Sequence, residues 1–223
     1  MVTETKKRRG RESAAARQLR AARILDALRQ QWPDARCELD FTDPWQLLVA
    51  VVLSAQCTDV NVNKATPALF ARFPTPQSMV GATAEEVEPF IRSLGLFRNK
   101  ARNLIVTANA ITTQHGGLVP SSREALEALA GVGRKTANVV LSNAFGVPAL
   151  AVDTHVGRLA RRLGLTVQED PDKVEQDLCA LWPESQWIAA HHTVIIHGRR
   201  VCHARTPDCG KCVLAPDCPS SLV

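Results

Sequence analysis

Residues 129–137 read Leu129-Ala130-Gly131-Val132-Gly133-Arg134-Lys135-Thr136-Ala137. Two glycines around one aliphatic residue, between segments of helical period, allow a tight helix-to-helix turn, because glycine adopts backbone conformations denied to other residues. Val132 then tucks between the two helices. The amides near Gly131 and Gly133 face outward at a helix N-terminus, where unpaired N–H groups and the macrodipole favour an anion. A Gly-x-Gly turn alone is equally an ordinary αα-hairpin. Lys135 adds to it: it falls in the first turn of the second helix, where the dipole disfavours an ammonium ion, and the neutral amine is the form that attacks carbon. A nucleophilic lysine needs a base, and one follows eighteen residues later in Ala151-Val152-Asp153-Thr154-His155. Taken alone, Asp153 is an N-cap. Two helix starts on facing segments also allow Lys135 and Asp153 to meet across a cleft.

Outward from the hairpin the pattern is helix after helix. Ala22, Ile24, Leu25 and Leu28 recur three or four apart within 14–32. Asp43-Pro44 has the form of an N-cap and first helical residue ahead of an apolar run to Leu53. Thr58 caps a helix toward Phe73, and Thr83 with Glu86 and Ser121 with Glu124 have capping-box spacing. Residues 99–115 place Leu104, Ile105, Ala108 and Ile111 on one face and stop at Gly116-Gly117. Further helices are predicted over 134–145, 154–163, 171–181 and 187–199. Tyr is absent, strand-like alternation is scarce, and no fixed-period repeat occurs. The fold class is all-α.

The chain has 223 residues, 45% of them hydrophobic and 22% charged, which excludes wholesale disorder. No apolar run approaches the ~18 residues of a membrane span, and the basic N-terminus lacks the apolar stretch of a secretory signal. A cytoplasmic location follows as the expectation. Lys and Arg number 27 against 22 Asp and Glu, and eight basic but only two acidic residues fall between Met1 and Arg23. The remainder is close to neutral. Such a tail is either a solvated charged arm or a contact for a phosphate backbone.

Four of seven cysteines crowd into the spacing Cys202-x6-Cys209-x2-Cys212-x5-Cys218. Without a secretory signal this grouping points to metal rather than disulfides. Four thiolates suit tetrahedral zinc or an iron–sulfur cluster. A single CxxC with uneven flanking loops fits the larger group better. Arg199, Arg200, Arg205 and Lys211 flank or separate these cysteines and are candidates for phosphate contact. Cys37, Cys57 and Cys179 read as small core residues.

The hairpin with its lysine, Val152-Asp153-Thr154-His155, the terminal cysteine loop and Leu53-Ser54-Ala55-Gln56-Cys57-Thr58-Asp59 together resemble the endonuclease III family of base-excision repair glycosylases. The resemblance runs in the family's order over about residues 45–218. It implies two helical domains with a DNA-binding groove between them. One, over 43–148, is a six-helix barrel carrying the helix-hairpin-helix. The other, from 21–42 and 149–223, carries a [4Fe-4S] cluster on Cys202, Cys209, Cys212 and Cys218. Residues 1–20 form a basic tail, ordered or disordered. The implied activity is that of a DNA glycosylase with apurinic/apyrimidinic lyase activity, monomeric and acting on duplex DNA that holds an oxidised pyrimidine or an abasic site. Lys135 and Asp153 are the implied catalytic pair. Gln56 and Leu96 fill the gap left by a flipped nucleotide, and Gly131, Val132, Gly133, His155 and Arg158 contact DNA. Ala130, where the family often has Pro, and Phe97, where Tyr is familiar, depart from the pattern. Competing readings are a monofunctional adenine glycosylase, which lacks the lysine, and a non-catalytic hairpin module with a zinc-stapled end.

Overall fold

A computed structural model describes residues 12–223, and the described residues hold helices and turns but no strand. Most of the basic arm, Lys6 to Arg11, lies outside the described residues. Helix α1 spans Ala14–Gln31 and is capped by Ser13, whose Oγ accepts the N–H of Ala16 at 3.1 Å. Residues 14–20, which belong both to the basic tail and to the helical period read over 14–32, are its first turns.

The chain forms two compact units. One is continuous, Arg36–Ala151; the other combines the chain up to Ala35 with Val152–Val223. These boundaries fall outside the expected 43–148. Leu39 is buried in the continuous unit's core, and Asn63 Nδ2 donates to the carbonyl of Glu38 at 2.9 Å. At the other end Ala149 and Ala151 enter the same core, and Asn138 Nδ2 donates to the carbonyl of Leu150 at 3.1 Å.

The continuous unit contains α2 Pro44–Leu53, α3 Asp59–Arg72, α4 Pro76–Met79, α5 Ala84–Ile91, α6 Phe97–Gln114, α7 Arg123–Glu127 and α8 Arg134–Ala144. Six follow the sequence reading; the single turn α4 was not foreseen. Helix α2 is apolar all round and packs against α3, α6 and α8, as a helix without a polar face must. Asp43 caps it, accepting the N–H of Gln46 at 2.9 Å. Thr58 caps α3 in the same way, and Glu86 Oε2 accepts the N–H of Thr83 at 2.8 Å. In place of the box expected at Ser121, Ser122 alone caps α7, its Oγ accepting the N–H of Ala125 at 3.3 Å. Two adjacent serines compete for that place, and the backbone geometry selects the second.

The other unit contains α1, α9 Thr154–Arg162, α10 Pro171–Leu181 and α11 Trp187–Arg200. Helices α9 and α11 approach closely at Gly198, where a β-carbon would lie 3.0 Å from that of His155. Trp182 Nε1 donates to the carbonyl of Ala21 at 2.9 Å, tying α10's end to α1.

Candidate nucleic-acid interface and cysteine centre

The hairpin forms as expected. Gly131 has φ of +76°, and a side chain there would press on Asn103 Nδ2 at 2.7 Å. Val132 is buried, its N–H donating to the carbonyl of Leu129 at 3.1 Å. Gly133 is the N-cap of α8 and, having no side chain, supplies no capping hydrogen bond. An N-terminus without a side-chain cap suits an external anion. From α6, Thr107 Oγ1 donates to the carbonyl of Ala130 at 2.9 Å and fixes the entry to the turn. That bond uses the backbone carbonyl, which a proline would also offer. Lys135, second residue of α8, is exposed rather than buried.

Gln56 and Leu96 share a conformation. Among the described residues they are the two non-glycine residues with positive φ, at 55° and 60°. Gln56 is the third residue of a tight turn closed by the Cys57 N–H on the carbonyl of Ser54 at 3.0 Å. Leu96 is the left-handed N-cap of α6 and is 54% exposed. Left-handed backbone at such residues is strained and persists only where the surroundings hold it. Both side chains stand at exposed tips of the continuous unit. Phe97, beside the second tip, packs against the core with the Arg98 guanidinium 5.4 Å from its ring centre.

Helix α9 carries the acidic candidate in the other unit. Asp153 is its N-cap, with Oδ1 accepting the N–H groups of His155 and Val156 at 2.8 Å each. Arg158, expected at a phosphate, turns inward instead. Its Nη2 donates to the carbonyls of Gly198 at 2.8 Å and Cys202 at 2.9 Å and lies 3.2 Å from His155 Nδ1. Burial pushes this guanidinium below its ordinary range, and its buried Nε has no hydrogen-bond partner among the described residues. His155 is half-buried beside it.

Cys202, Cys209, Cys212 and Cys218 line one cavity of about 270 Å³, together with Leu159, Val201 and Leu214. No disulfide joins them. Among the described residues no three His, Cys, Asp or Glu side chains converge as they would on a single ion. Burial raises the thiols of Cys212 and Cys218, and the neighbouring cysteines add to it. Arg162 supplies an opposing charge: Nη1 donates to Cys202 Sγ at 3.2 Å and to the carbonyl of His203 at 2.7 Å. His197 Nε2 lies 3.3 Å from Cys212 Sγ. Arg23 pairs with Asp217 in the loop. Of the basic flank, Lys211 pairs with Asp208 at 3.3 Å and Arg200 lies 5.4 Å from the Trp32 ring centre, while Arg205 is exposed.

Sequence reasoning missed Arg162, Thr107 and Lys100. Lys100 is only 4% exposed, and its Nζ donates to the carbonyls of Leu53 at 2.9 Å and Ala55 at 2.8 Å and to Cys57 Sγ at 3.2 Å. The signal was present: Lys100 stands on the same α6 stripe as Leu104, Thr107, Ala108 and Ile111, all buried.

Residues 49–184 match the family model described as HhH-GPD superfamily base excision DNA repair protein. The chain is 50% identical over 208 residues to endonuclease III of Synechocystis, covering 93% of this chain and 95% of that protein. Two solved structures, a non-covalent endonuclease III–DNA complex and a trapped endonuclease III–DNA covalent intermediate, each superpose with a TM-score of 0.88 at 46% identity. Each comparison covers 92% of this chain and 96% of the other.

Proposed function

The chain belongs to the endonuclease III family of HhH-GPD base-excision DNA repair proteins, and from that membership we propose that it excises oxidised pyrimidines from duplex DNA and then cleaves the strand. It is a DNA glycosylase with lyase activity. The carrying observation is Lys135, exposed at the start of α8 directly behind the hairpin, in a chain 46% identical to an enzyme trapped covalently on DNA.

The reaction follows from the residues. A damaged nucleotide must leave the stack before its C1′ can be reached. The neutral Lys135 amine attacks C1′; the base departs with the electrons of the glycosidic bond and takes up a proton. Asp153 accepts the proton lost from the lysine nitrogen and stabilises positive charge developing on the sugar. Ring opening gives an imine between Nζ and C1′. Loss of a C2′ proton then expels the 3′ phosphate by β-elimination, and water releases the lysine. The hairpin N–H groups of Gly131 and Gly133 hold a backbone phosphate, with Val132 as the buried anchor. Gln56 and Leu96 occupy the vacated gap. His155 supports the α9 end of the site, and Arg158 acts through the scaffold.

Cys202, Cys209, Cys212 and Cys218 hold a [4Fe-4S] cluster. Four thiols lining one cavity of about 270 Å³ supply the ligand set such a cluster takes. When bound, that group supplies thiolate–iron bonds that fix the terminal loop and a capacity for one-electron transfer. No reacting atom of the sugar requires it. Among the described residues no helix is long and apolar enough to cross a membrane, and the protein acts on DNA in the cytoplasm and nucleoid.

Borohydride reduction tests the reading, because only an imine is reducible. A duplex with one oxidised pyrimidine yields a covalent adduct with the native protein and none with Lys135→Gln, which still binds the lesion. Base release by Lys135→Gln at the native rate would assign the first step to another nucleophile. It would also favour the monofunctional alternative.

A further inference from the structure

We propose that Lys100 is a positioning residue that locks the Gln56 turn and the Leu96 tip into one rigid two-pronged element. The proposal rests on the reading of Gln56 and Leu96 as the groups that fill the gap in DNA.

The geometry is economical. An ammonium group has three N–H donors, and those of Lys100 meet three acceptors: the carbonyls of Leu53 and Ala55 and the sulfur of Cys57. All three belong to the end of α2 and the turn that presents Gln56. The backbone N–H of the same lysine donates to the carbonyl of Leu96 at 3.1 Å. One residue therefore fastens both tips, one through its side chain and the other through its main chain.

The position is costly otherwise. Lys100 has no ion-pair partner among the described residues, and a charge taken out of water without a counter-charge is unfavourable. An apolar side chain would continue the buried α6 stripe without that cost. It would leave the Leu53 and Ala55 carbonyls without these donors and release the turn. The C-terminal end of α2, where carbonyls gather negative partial charge, suits a cation. Gln56 and Leu96 both sit in strained left-handed backbone, and strain survives only where neighbouring bonds over-determine it. Lys100 is too buried to touch DNA. Its effect passes through the two tips.

The test separates prong placement from general packing. Strand cleavage at an abasic site is timed under single-turnover conditions in a duplex and in the corresponding single strand, where no opposing base has to be displaced. Gln56→Ala and Leu96→Ala are expected to lower the duplex-to-single-strand rate ratio. Lys100→Met, folded by circular dichroism, is expected to lower it by about tenfold or more, as a small misplacement of working groups does. If the two tip variants leave the ratio unchanged, the underlying reading of the tips fails. If they lower it and Lys100→Met does not, or if Lys100→Met slows both substrates equally, Lys100 only packs and the proposal is overturned. Should Lys100→Met not fold, Lys100→Gln decides on the same ratio. Its amide keeps two donors but loses reach, so an unchanged ratio again overturns the proposal.

Discussion

Asp153 Oδ1 accepts the backbone N–H of Val156 at 2.8 Å together with that of His155, while its second carboxylate oxygen takes no hydrogen bond among the described residues. The helix cap and the proposed proton acceptor are thus two oxygens of one side chain.

The two roles respond differently to substitution. Asp153→Asn keeps a capping oxygen, and Asn is as good an N-cap as Asp. Its urea midpoint is expected to stay near the native value while base release falls by about a hundredfold or more, with less damage at a preformed abasic site. Asp153→Ala loses the cap as well, costing about 1 kcal/mol of stability. Small, equal activity losses in both variants, measured by single-turnover cleavage, would reduce Asp153 to a cap.

Removing the metal from the cysteine centre is expected to unfasten the terminal loop without melting the helices. Beyond α11 the chain holds only two short 3₁₀ turns, Cys209–Lys211 and Ala215–Asp217. Chelation after oxidation should bleach the visible thiolate-to-iron absorption and leave helical circular dichroism nearly intact. It should also lower Tm by at least about 5 °C, since metal-binding energy is folding energy at such sites. Limited proteolysis would then cut within 201–223. A colourless native protein with zinc in the same place would sink the cluster assignment.

His192, buried against His191 with ring centres 4.9 Å apart, is pushed down by burial to about 4 from 6.5. The unfolded chain therefore binds a proton between those values that the folded protein refuses. The share of stability that rests on His192 is level above about pH 6.5 and falls as pH drops toward 4, by about 1.4 kcal/mol per pH unit. Urea midpoints at about pH 7.5 and about pH 5 measure the drop. His192→Gln should shrink it by roughly 2 kcal/mol; an undiminished drop would place the slope elsewhere.

The basic arm outside the described residues carries Lys6, Lys7, Arg8, Arg9 and Arg11. Deleting residues 2–11 is expected to weaken DNA binding at low salt and to flatten the slope of log affinity against log salt, with little effect at high salt. An identical slope would show that the arm never reaches the phosphates.

Local chemistry was legible in the chain and long-range fastening was not. Asp43, Thr58 and Asp153 announced their helix starts because a cap needs only its own next three residues. The Gly131-Val132-Gly133 turn and the four clustered cysteines were legible for the same reason. The inward bonds of Arg158 were not legible, because a basic residue on a helix reads as solvated until the packing of α11 is known. Lys100 carried a signal, a cation on an apolar stripe, but its three acceptors lie more than forty residues upstream.

The discontinuity of one unit has a consequence for how the chain is made. Residues 36–151 are contiguous and can fold while synthesis continues, as domains generally do. Helix α1 is made before that segment, but its partners in its own unit come after it, α10 and α11 first and the cysteine loop last. Arg23 meets Asp217 only then, and Arg20 meets the carbonyls of Leu163 and Asp217. A chain interrupted before Val152 would hold a finished hairpin and a first helix without its partners.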